Sequence, residues 1–270
     1  MTFDLSAVES GIAGTEFAGR VMHFPSVGST NTLALDAAQA GARSGVWVAD
    51  EQTAGRGRGG HGWHSAAGDG LYASMLIAPA LPMTSALLIS LATGLAAKRA
   101  IAEAAGLDAD IRWPNDLLLN KKKCGGILVE TAVAPPTRPE AEALLRYAVI
   151  GVGINLNHER FPDEIASVAT SLRIEAGRTV SREAILVALL RALHDELRLL
   201  NDANVGKDNI RELLKRFTEA SSWVRGKHVR VDEHGGYTGL TAGLDASGFL
   251  LVDSDDGTRR TVLSGGVRDR

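Results

Sequence analysis

The sequence predicts an α+β fold in two parts: a larger domain over residues 1–222 with a mixed or antiparallel sheet flanked by helices, and a small all-β domain over residues 223–270. Three observations point there. Up to about residue 220, apolar strand-like runs are joined by hairpins and interrupted by amphipathic helical runs, a mixture that suits α+β architecture. After Trp223 the pattern changes to short alternating segments separated by Gly235-Gly236, Ser247-Gly248 and Asp256-Gly257. Apolar residues make up 45% of 270, enough to bury a core in each part.

Composition excludes several function classes. A formal net charge of -3 argues against a protein that coats nucleic acid. Cys124 is the single cysteine, so no internal disulfide forms, which suits a reducing cytoplasm. The N-terminus has no basic segment followed by an apolar run, so it does not read as a signal peptide. Residues 70–97 carry no charge, but Pro79 and Pro82 divide them, and Ser74, Thr84, Ser85 and Ser90 interrupt them. They read as a buried strand followed by a buried helix, not as a membrane span.

In chain order, residues 1–19 suit a short helix or an extension, and no helix-turn-helix pattern precedes residue 20. Residues 20–24 read as a strand. The next segment turns into a helix capped by Ser29 or Thr30, with Leu33, Ala37 and Ala40 on one face. Residues 46–49 and 71–78 are strands that enter and leave a glycine-rich loop. Residues 83–105 form a long buried helix that Gly106 stops. A short strand at 111–119 is broken at Trp113-Pro114. Residues 120–123 form a cationic hairpin tip, and a core strand follows. Residues 133–142 read as a proline-rich hairpin loop, and 147–157 as a further buried strand. Thr170-Ser171-Leu172 precedes a linker. Ser181 caps a helix with Ile185, Leu189, Leu193, Leu197 and Leu200 along one face. A second helix runs over about 209–220. The small domain shows four strands, at 228–231, 237–242, 249–252 and 260–263, and is SH3-like in size.

The chemistry concentrates in a few stretches. Residues 52–64 hold five glycines, Arg56, Arg58, His61, His64 and Trp63. Gly55-Arg56-Gly57-Arg58 lets bare backbone N–H groups approach an anion while two guanidinium groups clamp its oxygens. A loop held between buried strands is anchored at both ends, as a lid is. The same composition also suits an RNA contact or a plain surface loop. Asn115-Asp116, at the break after Trp113-Pro114, is either a structural Asx turn or a polar pair aimed into a cleft. Lys123 directly precedes Cys124-Gly125-Gly126, so it can point inward where its neighbours are solvated. Asn155 closes a strand in which Gly151 and Gly153 alternate. His61 and His64 read as incidental, with no acidic or thiol partner nearby. Cys124 reads as a buried structural thiol.

Gly-Arg-Gly-Arg followed by Trp63, Trp-Pro-Asn-Asp, Lys-x-x-Gly-Ile-Leu-Val-Glu and Gly-x-Gly-Ile-Asn occur in this order between residues 55 and 155, and the resemblance they carry extends over about residues 20–265. The chain thereby resembles the biotin–protein ligase (biotin–[acetyl-CoA-carboxylase] ligase) family, and among its members the monofunctional type without an N-terminal DNA-binding domain. The resemblance implies a class II aminoacyl-tRNA-synthetase-like catalytic domain with a mixed sheet, plus a C-terminal SH3-like β-barrel. It implies biotin contacts at Ser29, Thr30, Asn31, Gln52, Gly55, Arg56, Lys123 and Gly126. It implies nucleotide contacts at Arg56, Gly57, Arg58, Trp63, Asn115 and Asn155. Lys123, Arg56, Arg58 and Asp116 take the catalytic roles, with Asp116 orienting or deprotonating the attacking amine. Mg²⁺ would accompany ATP on its phosphates, with Asp116 as a candidate contact. The implied partners are biotin, ATP and a biotin carboxyl carrier protein, with no DNA and no membrane, for a cytoplasmic monomer or homodimer. Three departures stand out: Gly59-Gly60-His61-Gly62 replaces a more arginine-rich loop, Arg112 stands where lysine is usual, and Ser264-Gly265-Gly266-Val267 has glycine where an acidic residue is common. Lipoate–protein ligase, with the same chemistry, and a non-enzymatic nucleic-acid-binding module are the competing readings.

Overall fold

The computed structural model describes residues 3–134, 143–201, 206–233, 235–263 and 266–270, and its strands form two sheets. The first part contains α1 (Leu5–Gly11), β1 (Val21–Phe24), α2 (Thr30–Gln39), β2 (Gly45–Ala49), β3 (Gly70–Ile77), α3 (Ala86–Ala105), β4 (Asp110–Arg112), β5 (Asp116–Leu119), β6 (Lys122–Val133) and β7 (Leu145–Asn155). Then come α4 (Asp163–Ala166), α5 (Leu172–Ala176), α6 (Arg182–Asn201) and α7 (Gly206–Ala220). The second part is β8 (Arg225–Val231), β9 (Tyr237–Leu244), β10 (Leu250–Ser254), β11 (Arg259–Val262) and β12 (Val267–Asp269).

The larger sheet runs β1-β2-β3-β7-β6-β5-β4, with β1 and β2 parallel and the other neighbours antiparallel. This is the mixed sheet expected from the sequence. Side chains alternate across a strand, so register decides what faces the site. In β3, β7 and β6 the cross-strand rows Leu76/Val149/Glu130, Ser74/Gly151/Leu128 and Tyr72/Gly153/Gly126 share one face. α2 packs on that face beside Trp47, Leu76, Tyr147 and Val149. The opposite face carries Met75, Ile150, Val152 and Ile154 into the main core.

α3 is long and apolar enough to cross a membrane by length and composition, yet it is a core helix. It lies against α6, α7 and the sheet, which is why so much of it is apolar. Gly106, with φ +73°, closes it in the left-handed conformation. α6 starts where Ser181 Oγ accepts from Ala184 N at 3.2 Å, and the five expected apolar residues are all buried.

Several expectations are corrected. The buried side of α2 is Thr30, Asn31, Ala34 and Ala38, not the stripe through Leu33, Ala37 and Ala40. Small residues on that side let the helix sit close to β3 and β7. Thr170-Ser171-Leu172 leads not into a linker but into α5, and Ser171 Oγ caps that helix by accepting from Ile174 N at 3.1 Å. The small domain has a fifth strand, β12, which pairs with β8. The expected loop at 133–142 falls mostly outside the described residues.

The second sheet runs β11-β10-β9-β8-β12 and is antiparallel throughout. It is tied to the first part through β4 and its neighbours. Ser221 Oγ donates to Ile111 O, Ser222 N and Oγ donate to Asp110 at 2.9 and 2.6 Å, and Trp113 Nε1 donates to Gly248 O at 3.0 Å. Gly248 has φ +88°, and a Cβ there would lie 2.8 Å from Leu91 Cδ1 of α3. Gly248→Ala therefore combines backbone strain with a clash. It should lower the unfolding free energy by about 2 kcal/mol in urea denaturation, and an unchanged midpoint would contradict this packing.

Candidate functional site

A cleft opens on the α2 face of the sheet, where β6 and β7 lose their side chains. Gly126, Gly151 and Gly153 make its floor, α2 and Gln52 its inner end, Arg56–Arg58 and Trp63 its lid, and Asn115 and Lys123 its outer end. The glycines are required by what lies on them. A Cβ on Gly151 would come 2.2 Å from Asn31 Oδ1, and one on Gly153 would come 2.5 Å from Trp63 Nε1.

The inner end is a network of neutral polar groups tied to one carboxylate, where Asn31 Nδ2 donates to Glu130 Oε2 at 3.0 Å. Gln52 Oε1 accepts from Thr30 N at 2.9 Å and from Thr30 Oγ1 at 3.1 Å. Gln52 thus satisfies a donor at the start of α2, where Ser29 is the N-cap residue but makes no side-chain capping bond. Gln52 Nε2 donates to Ser65 Oγ at 3.0 Å. Ser74 Oγ lies 2.8 Å from Thr30 Oγ1 and donates to Asn31 Oδ1. Every buried member is partnered, so the network is rigid.

The outer end is cationic, and its cations already have partners. Lys123 Nζ and Arg112 Nη2 each lie 2.5 Å from Asp116, on its two different oxygens, and Arg112 Nε adds a bond at 3.1 Å. Burial alone would raise the Asp116 pKa, but Lys123 and Arg112 together outweigh it and hold that carboxyl below its usual range. Arg58 Nη1 donates to Asn115 Oδ1 at 3.1 Å, and Asn115 Nδ2 donates to Ile127 O. Burial lowers the Arg58 pKa, with Asp116 opposing. Arg56 Nη2 pairs with Glu130 Oε1 at 2.7 Å. Burial pushes the Cys124 thiol up to about 12, so it carries no thiolate at neutral pH.

Trp63 occupies the middle of the cleft. Its ring covers Gly153 and Gly126, Lys123 Nζ lies 5.5 Å from its centroid, and its indole N–H is buried without a protein acceptor. The enclosed space left is about 50 Å³, room for a few waters and not for a ligand of many atoms. A ligand of that size would need the indole moved aside. The segment that carries it is a tight turn: Gly59 and Gly60 have φ +64° and +79°, and Gly57 N donates to His61 O at 2.7 Å.

Most of the expected site residues meet here: Ser29, Thr30, Asn31, Gln52, Arg56, Gly57, Arg58, Trp63, Asn115, Lys123 and Gly126 all line the cleft. Three expectations need adjusting. Gly55 does not line it; its carbonyl accepts from Trp63 N at 2.9 Å and shapes the loop base. Asn155 sits past the end of the floor, where its Nδ2 donates to Thr170 O at 3.0 Å. That bond steadies the segment whose backbone pairs with Lys123 through Val168 O and Thr170 N. Asp116 fits a metal poorly, since Lys123 and Arg112 take both of its oxygens; among the described residues no cluster of three His, Cys, Asp or Glu could hold an ion. The sequence reading missed Ser74, Glu130 and the pairing of Arg112 with Asp116. The one available signal was a lone acid at Glu130, directly after the apolar residues Ile127, Leu128 and Val129 of β6.

A profile described as the biotin/lipoate A/B protein ligase family matches residues 23–155, and one for the biotin protein ligase C-terminal domain matches residues 225–267. The chain is 34% identical to the bifunctional ligase/repressor BirA of Bacillus subtilis (strain 168), covering 91% of this chain and 73% of that protein. It is 33% identical to the biotin–[acetyl-CoA-carboxylase] ligase of Mycobacterium tuberculosis (strain H37Rv), covering 88% and 84%. Among solved structures, a mutant biotin protein ligase from Aquifex aeolicus in complex with biotin superposes with a TM-score of 0.75 at 26% identity, covering 93% and 99%. The biotin protein ligase from Aquifex aeolicus in complex with biotin and ATP gives 0.73 at 26% identity, covering 93% and 98%.

The lowered Asp116 pKa makes a pH-dependent contribution to stability. A depressed carboxyl stabilises the fold fully above its unfolded pKa of about 4, and the contribution is lost as pH falls through the folded value. Asp116→Asn should thus be less stable than the wild type near neutrality, and the gap should hold down to about pH 5 and narrow as pH falls below about 4. Urea denaturation across that range is the check; a constant gap would contradict the ionic role.

Proposed function

The chain belongs to the biotin/lipoate A/B protein ligase family, and on that premise we propose that it is an ATP-dependent biotin–protein ligase. It would form biotinyl-5′-AMP and pass the biotinyl group to one lysine of a biotin carboxyl carrier protein. The observation that carries this reading is the division of the cleft. A rigid neutral hydrogen-bonding end, at Thr30, Asn31 and Gln52, suits an uncharged polar head such as a ureido ring. A cationic end, at Arg56, Arg58 and Lys123, suits a carboxylate meeting a phosphate.

In the first step a biotin carboxylate oxygen attacks the α-phosphate of ATP, and pyrophosphate leaves. Two anions must approach each other, so positive charge held in place beforehand lowers the barrier. Lys123 supplies it from a strand, aimed by Asp116, while Arg56 and Arg58 supply it from the loop. In the second step a carrier lysine amine attacks the acyl carbon, and AMP leaves. Neither step uses a protein nucleophile, which accords with the inert Cys124. A carboxyl below its usual range is a weak base, so we assign Asp116 to orienting Lys123 rather than to deprotonating the amine. Magnesium, where it accompanies ATP, would be held by the phosphates, and no step here is routed through it. Trp63 and the loop, once ligand has displaced the indole, would cover the acyl-adenylate and keep water from it.

Biotin-dependent ATP–pyrophosphate exchange tests the reading. The wild type should exchange with biotin and not with lipoate. Lys123→Ala should lose about 10²-fold in exchange rate and Arg56→Ala about tenfold. Exchange that depends on lipoate instead would favour the lipoate branch of the family, and no exchange with either would overturn the proposal.

A further inference from the structure

Glu130 is the acid that the cleft reaction does not use. It stands in β6 in the same facing row as Val149 of β7, two residues along the strand from Leu128 and four from Gly126. Its two oxygens have different partners. Oε1 accepts from Arg56 Nη2 at 2.7 Å, and Oε2 accepts from Asn31 Nδ2 at 3.0 Å. Asn31 in turn accepts from Ser74 through Oδ1, so Glu130 fixes which way the Asn31 amide points. A groove along the outer side of the loop is lined by residues 54–62 on one side and by Leu128, Val129 and Glu130 on the other. Glu130 thus meets Arg56 at the boundary between cleft and groove. The pair is only partly covered, with the Arg56 and Glu130 side chains 43% and 24% exposed.

We propose that Glu130 is a stand-in anion: in the empty cleft its carboxylate holds Arg56 in the place of the ligand's anionic group, and binding exchanges one anion for another. The identity of the incoming anion, a carboxylate or an α-phosphate, rests on the ligase reading. Exchange has two consequences that formation of a fresh ion pair lacks. The loop is tethered to β6 before ligand arrives, so the Arg56 charge is met without a ligand. The tether also opposes binding, since the Arg56–Glu130 contact must break. Glu130 stays on Asn31 through Oε2 when Arg56 leaves, so the neutral end keeps its orientation during the exchange.

Glu130→Gln in the full chain separates charge from shape, because glutamine can still accept from Asn31. In biotin-dependent exchange the variant should show a biotin KM lowered about twofold to fivefold, the range for one exposed ion pair. A support that merely shaped the site would move KM upward. Trypsin cleavage after Arg56 or Arg58, without ligands, should rise severalfold in the variant. Raising the salt should bring the wild type to the same rate and leave the variant unaffected. With saturating biotin and ATP both should be protected equally. A raised biotin KM, or cleavage that is unchanged or raised equally with and without ligands, would overturn the proposal. Absence of exchange in the wild type would instead remove the ligase reading, while the salt and trypsin arms would still decide the role of Glu130.

Discussion

The cleft is shaped by one constraint: cations placed to meet an anion must be neutralised while no anion is there. An uncompensated charge destabilises by several kcal/mol where it is buried, as at Asp116, and by about 1 kcal/mol or less where it is exposed. The acids that compensate come from the sheet. Asp116 at the start of β5 takes Lys123 and Arg112, and Glu130 in β6 takes Arg56. Arg58 leans on the amide of Asn115. These pairings set where the lysine and the loop arginine rest, and they explain why strand β6 carries an acid on its cleft face.

A second constraint is space. The floor has to be bare backbone for Asn31 and Trp63 to lie on it, which is why Gly151 and Gly153 stand two residues apart in β7. With the indole in place the cleft is nearly full. In the proposed reaction, recognition and closure would be one event, in which the loop leaves its resting contacts and covers what has bound. Arg112 also touches the segment that leads into the C-terminal sheet, because its guanidinium lies 5.4 Å from the Trp223 ring as well as on Asp116.

What was legible in the sequence was local. A continuous apolar run, a helix-stopping glycine and the apolar stripe of α6 act within a few residues, so β7, Gly106 and the Ile185–Leu200 face could be read directly. Lys123 was legible because two glycines and a core strand follow it at once. The parts that were not legible depend on register between distant strands. Glu130 meets Asn31 across 99 residues, and Ser74 meets Asn31 across 43. The α2 stripe was misplaced because its inward side bears Thr30 and Asn31, polar residues buried by a network that no helical periodicity shows. Asn155 has the parity of the floor glycines, but the strand has run past the cleft and Thr170 receives it.

In the proposed reaction a carboxylate is activated by attacking the α-phosphate of ATP. Biotin labelled with ¹⁸O in its carboxylate tests that most directly, in a reaction carried through to a carrier domain and followed by mass spectrometry of the nucleotide. Attack on the α-phosphate predicts AMP carrying one ¹⁸O. Unlabelled AMP, or label in inorganic phosphate, would contradict the account.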